Sequence, residues 1–320
     1  MKTRASRLSV LMLVVLVGFS TVLTGCELFS GETGKLKVGV LPILDVLPLY
    51  VAEQEGYFEA EGIEVELVPF SSALERDVAL QIDQIEGEVN DLISVALLNN
   101  EGDRVKVVRT AMRATPEKSM FAILSSDEAI KTPTDLQGVQ IGISTNSIIE
   151  YIVDRLLEAE GLTEAEIIKV GVPKIPVRLE LLSNGNLPAA CLPEPLASLA
   201  AVSGAHIVID DRAHPEYAQS VVSFSIRTLN EKPMMVRRFV SAYEKAVEAI
   251  NADPDRFRPL LIEKGRVPKP VQDSFEIPIF PGASVPAEAE VQDVLDWMTG
   301  KDMLERDLAY DKLVSDKYLP

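Results

Sequence analysis

Leu36-Lys37-Val38-Gly39-Val40-Leu41, then Pro42-Ile43-Leu44-Asp45, then Pro48 to Glu55 closed by Gly56, then Ile63 to Val68: this run reads as strand, polar loop, short helix and second strand. Apolar residues alternate in the first strand, and a glycine stops the helix. Leu74 to Ile85 carries helical spacing, Asp91 is placed to cap a helix through Leu98, and Val105 to Arg109 is a further strand. Strands alternating with helices in this way predict an α/β fold with largely parallel sheets.

A second block repeats the pattern. Met120 to Leu124 and Val139 to Ile143 read as strands, with a turn at Pro133-Thr134-Asp135-Leu136 between them. Ile148 to Ala159 is amphipathic, with Ile149, Ile152, Val153, Leu156 and Leu157 on one face and Gly161 beyond its end. Strands near Ile167 to Val170, Ala189 to Leu192 and His206 to Ile209 complete the block. Val221 to Arg227 then alternates as a strand, and a long helix from Pro233 buries Val236, Phe239, Val240, Tyr243, Val247 and Ile250 until Asp253-Pro254 stops it. A last amphipathic helix lies around Val291 to Met298, with Trp297 on its apolar side. The chain leaves the first block and comes back to it, which predicts two lobes joined by two crossovers. Lobe 1 is expected over 35–113 and 223–320, lobe 2 over 118–216, and the hinge crossovers over 114–117 and 217–222.

The N-terminus is read apart. Lys2, Arg4 and Arg7 precede an apolar stretch from Leu8 to about Leu23, the pattern of a secretion signal over residues 1–25. It runs into Leu23-Thr24-Gly25-Cys26, which resembles the lipobox of bacterial lipoproteins and implies lipidation at Cys26, followed by a polar tether over 26–34. The alternative is a retained membrane span, which needs about 20 apolar residues. Without Lys2, Arg4 and Arg7 the 31 basic residues fall to 28 against 49 acidic ones, a net charge of −21. Such a chain lacks the clustered cations that neutralise nucleic-acid phosphates or dock on anionic lipid. With Cys26 lipidated only Cys191 remains, in the apolar Pro-Ala-Ala-Cys-Leu run, so no intrachain disulfide forms and Cys191 reads as a small core residue. Two histidines, His206 and His214, without ligand spacing predict no metal, and no cofactor is expected.

In an open α/β sheet, ligands sit beyond the carboxyl ends of the strands. The loops there contain Asp45, Ser71 and Ser72, Asn90 and Asp91, Ser144-Thr145-Asn146-Ser147, and Glu194 between Pro193 and Pro195. Ser147 and Glu150 have the spacing of a capping box, whose exposed amides suit an anion or carbonyl, although a good helix start explains it equally. Asp91 reads first as a helix cap. Arg109 and Arg113 are the basic candidates and read more readily as salt bridges. Phe70, Tyr217 and Phe280 are the aromatic candidates.

Taken together, Leu41-Pro42-Ile43, Asp45, Pro48-Leu49-Tyr50-Val51-Ala52, Glu55-Gly56-Tyr57-Phe58 and Glu61-Gly62-Ile63 resemble the N-terminal signature of type II periplasmic binding proteins. These are the receptors for sulfonates, taurine, nitrate and the thiamine pyrimidine precursor. Gln84-Ile85-Glu86-Gly87, Thr132 to Gly138, Leu192-Pro193-Glu194-Pro195 and the Pro233 to Asn251 helix extend the resemblance to Pro320, with Asp83 and Glu86 departing from the family's glycine and aspartate. It implies a two-lobed periplasmic-binding-protein type II fold with two hinge crossovers, closing on a small-molecule solute. By position it places Asp45, Ser72, Asp91, residues 144–147 and Glu194 around the cleft. It further implies docking on an ABC permease; the signal and lipobox place the chain outside the cytoplasm, anchored by lipid at Cys26, and a monomer is expected. The competing expectations are an enzyme on the same fold acting on a pyrimidine or related small molecule, and a receptor serving a membrane sensor. For the solute, acidic strand ends favour a polar heterocycle or similar organic molecule over a simple anion.

Overall fold

Leu36, Val38 and Val40 are fully buried and Lys37 is exposed, so the opening strand turns one face to a core as its alternation requires. The computed structural model describes residues 34–320. The expected signal segment, Cys26 and all of the tether but Gly34 lie outside the described residues. Two five-stranded sheets organise the chain. The first contains β1 (Lys35–Val40), β2 (Glu64–Pro69), β3 (Gly87–Asn90), β4 (Val105–Arg113) and, much later, β10 (Gln219–Ser225), in the order β2-β1-β3-β10-β4. The second contains β5 (Phe121–Ser125), β6 (Gln140–Ile143), β7 (Ile168–Gly171), β8 (Ala189–Pro193) and β9 (His206–Asp210), in the order β7-β6-β8-β5-β9.

The sheets are less parallel than the pattern of elements predicts. β10 runs antiparallel to β3 and β4, and β5 runs antiparallel to β8 and β9. The cause is the route of the chain. The other strands of each sheet run toward the junction of the lobes, whereas β5 and β10 are the strands that enter from it. The crossovers occupy 114–120 and 211–218 and lie side by side, with the Ala114 N–H donating to the Ala218 carbonyl at 3.0 Å. The return is therefore earlier than the expected 217–222, because Gln219 and Ser220 already pair with Arg113 and Met112.

Helices cover the sheets: α1 (Leu47–Gln54), α2 (Ala73–Gln81), α3 (Leu92–Leu98), α4 (Ile148–Ala159), α5 (Ile175–Ser183), α6 (Leu196–Val202), α7 (Pro233–Ala252) and α8 (Glu288–Gly300). The apolar face of α4 joins the same continuous core as β1, β4 and α7. This second-lobe helix is therefore packed against the first lobe. Its cap differs from the expected box. Ser147 Oγ accepts the Ile149 N–H at 3.2 Å, but Glu150 accepts the N–H of Asn146, at 2.8 Å, where Asn146 takes a left-handed φ of 55°. Trp297 is buried on α8, and its Nε1 donates to Asp154 at 3.0 Å. Among the described residues no helix is long and apolar enough to cross a membrane.

Candidate ligand-binding cleft

The carboxyl ends of β1, β3 and β6 point at one another across the lobe junction. They bring Asp45, Asn90, Asp91, Ser144 and Ser147 to a single cavity of about 50 Å³, enough for about four waters. The two walls differ in chemistry.

The first lobe presents acceptors. Asp45 is buried, and its pKa is pushed up to about 6 by burial, against the easing influence of Ser220 and Arg76. The Ser220 hydroxyl is near, yet Asp45 Oδ1 and Ser220 Oγ have no bonded partner. Asn90 spends its amide N–H on Glu88 Oε1 at 2.7 Å and leaves its own Oδ1 without a donor. Asp91 caps α3 by accepting the Ser94 N–H at 2.8 Å. Burial raises its pKa; Arg76, Ser94 and the Ile148 amide oppose the rise. Among the described residues Arg76 is the one cation lining the cavity, and its charge is met within the first lobe. It donates to Asp77 Oδ1 at 3.0 and 2.7 Å and to the Val89 carbonyl at 2.7 Å, with Glu88 Oε2 at 3.3 Å. Asp77 and Glu88 keep that guanidinium charged against burial, while burial and Asp77 raise the Glu88 pKa.

The second lobe presents an apolar wall of Phe121, Ile148, Ile149, Pro173, Ile175 and Pro193, broken by Ser144 and Ser147. Behind Ser144 lies Arg178, fully buried, with Nη1 donating to Ser144 Oγ and to the Val172 carbonyl, both at 2.8 Å. Its Nε and Nη2 have no partner, and burial lowers its pKa to about 10. Gly142 makes the room: a Cβ there would lie 2.2 Å from Leu187 Cδ2 and 3.3 Å from Arg178 Cγ. Gly39 does the same for Arg76 in the first lobe, where a Cβ would come within 2.9 Å of Arg76 Cγ.

The remaining loop candidates lie around the cavity. Ser72 caps α2 through the Glu75 N–H and lines, with Thr145 and Asn146, an adjoining groove that shares Ala73, Ser144, Ser147 and Pro173 with the cavity. Ser71 is exposed, and its N–H donates to Glu75. Glu194, just past Pro193 at the end of β8, lines a small pocket beside the cavity with Asp45, Phe121 and Pro193. It also lines a different cavity of about 260 Å³ with Asp210 and Arg212, accepts the Ser198 N–H at 3.2 Å, and has its pKa raised by burial. Arg109 and Arg113 pair with Glu244 and Glu290. The aromatic residue in the cleft is Phe121, not Phe70, Tyr217 or Phe280. Arg76 and Ser220 had no local signal, since one reaches in from within a helix and the other from a strand, 144 residues further on. Among the described residues no group of His, Cys, Asp and Glu is placed to hold a metal ion.

The NMT1/THI5-like family model matches residues 44–257 of this sequence. The chain belongs to that family. No curated protein sequence gives a significant match. Solved structures share the fold of this NMT1/THI5-like chain at low identity. The alkanesulfonate-binding protein SsuA of Xanthomonas axonopodis pv. citri, bound to MOPS, aligns at 19% identity over 89% of this chain and 99% of its own, with a TM-score of 0.76. The periplasmic nitrate-binding protein NrtA of Synechocystis PCC 6803 aligns at 13% over 90% and 87%, with a TM-score of 0.72. The desulfurization enzyme DSZB aligns at 17% over 89% and 97%, with a TM-score of 0.67. The fold is thus the two-lobed one of periplasmic binding proteins, with two separate α/β sheets.

Proposed function

We propose that the protein is an extracytoplasmic receptor, lipid-anchored at Cys26, that captures a small organic solute rich in hydrogen-bond donors and passes it to an ABC importer. One observation carries the choice of solute. Asp45 Oδ1 and Asn90 Oδ1 are buried acceptor oxygens on residues lining one cavity, and among the described residues neither has a hydrogen-bond partner. Unpaired buried acceptors are costly and invite donors. A sulfonate or nitrate would add acceptors to a wall that already has them. An aminated nitrogen heterocycle or a compact ammonium compound would supply the missing N–H groups and lay its apolar body on Phe121 and Ile149. A cavity of about 50 Å³ is too small for such a molecule as it stands, so the lobes part to admit it and re-close on it.

Family membership and the transport proteins that share the fold support the receptor role. The anchor rests on Leu23-Thr24-Gly25-Cys26. Catalysis is the second reading, favoured by the likeness to a desulfurization enzyme. Against it, Cys191 is fully buried in β8, away from the cleft, and burial pushes its thiol up to about 12. Thermal unfolding of the purified protein against aminopyrimidines, alkylamines, sulfonates and nitrate tests the proposal. A true solute at a hundredfold excess over its Kd adds about 2.7 kcal/mol, or about 5–10 °C. A shift with an N–H-bearing compound recovered unchanged is the expected result. Shifts confined to sulfonates or nitrate sink the solute assignment, and consumption of the ligand sinks the receptor reading.

A further inference from the structure

We propose that Arg178 is a positioning residue: bonding to the Ser144 hydroxyl from behind the cleft wall, it sets that hydroxyl as a hydrogen-bond donor to the solute. The solute then carries a neutral acceptor toward the second lobe as well as N–H groups toward the first. The inference rests on the cleft being the solute site. It narrows the solute from any donor-rich organic molecule to one with an acceptor set apart from its donors, as in an aminated ring with a ring nitrogen.

A guanidinium has only donors. With Arg178 Nη1 at 2.8 Å from Ser144 Oγ, the serine oxygen is therefore the acceptor, and its own proton is left for another partner. Within the chain that partner is the Pro173 carbonyl at 3.3 Å, well beyond the usual O–H···O length of about 2.7–2.8 Å. Ser144 and Pro173 both line the cavity, so a solute acceptor at ordinary length competes for the proton on favourable terms. The other side-chain donors of the cavity are committed. The Ser147 hydroxyl donates to the Ser144 carbonyl at 2.8 Å, Asn90 Nδ2 to Glu88 at 2.7 Å, and Arg76 to Asp77 and the Val89 carbonyl, while Ser220 lies beside the Asp45 carboxylate.

Packing alone does not call for an arginine here. Arg178 is fully buried, its Nε and Nη2 have no partner, and its charge neighbour is the Cys191 thiol, which burial keeps protonated. A leucine or methionine would fill the space without burying an unpaired cation. The side chain is held in place: its stem crosses Gly142, where a Cβ would lie 3.3 and 3.4 Å from Arg178 Cγ and Cδ, and Nη1 also donates to the Val172 carbonyl at 2.8 Å. A hydroxyl that accepts from a cation becomes a stronger donor to its next partner. Because the guanidinium itself does not line the cavity, the solute meets one hydroxyl proton and not a positive charge. A single neutral acceptor satisfies that proton. A sulfonate would bring several oxygens to one donor, with Asp45 and Asp91 lining the same small cavity.

The test is calorimetric titration of the full chain, purified in mild detergent, with 4-aminopyrimidine and with aniline, which keeps the amino group and flat ring but has no ring nitrogen. The wild type is expected to prefer the aminopyrimidine by about fivefold or more, the worth of one net hydrogen bond. Ser144→Ala is expected to lose that preference. So is Arg178→Met, or Arg178→Leu should the first not fold, because neither side chain offers a donor. Arg178→Lys restores a donor and is expected to keep the preference. A role in folding alone would weaken both ligands together and leave their ratio unchanged. Equal affinity of the wild type for the two compounds overturns the proposal and leaves the donor-solute reading standing. So does a preference that survives in Ser144→Ala or in a folded donor-free Arg178 variant, and so does binding of an alkylamine with neither aromatic compound bound. Binding confined to sulfonates or nitrate overturns both.

Discussion

Asp45 is buried in the cleft with one oxygen unbonded and a pKa pushed up to about 6 by that burial. Between about pH 4 and pH 6 the native protein holds a proton on this residue that the unfolded chain has lost. Stability therefore falls as pH rises through that window, and the cost is complete above it. A displacement of this size corresponds to about 3 kcal/mol. Asp45→Asn is accordingly expected to melt several degrees above the wild type at pH 7.5 and level with it at pH 4, as calorimetry at both values would show. The same substitution is expected to abolish the pH dependence of solute affinity, which in the wild type rises as Asp45 ionises. A variant no more stable at pH 7.5 would mean that Asp45 already has a hidden partner. The strand-end rule made Asp45, Ser144 and Ser147 legible in the sequence, because each lies in a loop after a predicted strand; Asp91 was legible as a helix cap, whereas β3, which ends at Asn90, was not foreseen. Glu194 obeys the same rule and reaches only the neighbouring pocket, beside Asp45 and Phe121, since the rule fixes a loop's end of the sheet and not the direction of a side chain within it.

Among the elements, the crossovers depend on one residue. The Asp211 carboxylate accepts the N–H of Met120 at 3.0 Å and of Phe121 at 2.9 Å, and so ties the second crossover to the strand that leaves the first. Removing it strands two buried donors, each costing about 1–3 kcal/mol. Asp211→Ala is therefore expected to lose about 2–4 kcal/mol in urea unfolding, with Asp211→Ser recovering part of it. A loss under 1 kcal/mol would show that water replaces the carboxylate. Sequence periodicity located α4 to the residue, because an N-cap, a helical apolar face and Gly161 agree there. It carried no information on strand direction. The antiparallel course of β5 and β10 follows from where the chain crosses between lobes, a long-range fact that no local pattern contains.

At the scale of the molecule, the lobes meet at the cleft, between α6 and residues 269–278, and along α8. Glu290 at the start of α8 pairs with Arg113 at the end of β4, while further along Asp293 accepts from Tyr151 and from Arg155 Nε and Nη2 at 3.1 and 3.0 Å, both on α4. Lys301, just past the helix, reaches Asp154 at 3.0 Å. α8 thus links the first lobe to α4, whose first turn lines the cavity, and opening of the cleft must strain or slide this seam. Asp293 is about two-fifths exposed, so its ion pair adds little to global stability, about 1 kcal/mol at most. Its effect on closure is a separate quantity, because the closed and open forms differ by only a few kcal/mol in proteins of this kind. Asp293→Ala is expected to leave the melting temperature within about 3 °C of the wild type. It is also expected to expand the ligand-free protein in solution scattering, away from the radius of gyration of about 19 Å expected for a compact chain of this length. It should weaken solute binding by the fraction of closed form it removes. An unchanged radius together with unchanged affinity would show that α8 follows the lobes passively, leaving the cleft and the contact of α6 with residues 269–278 to set closure.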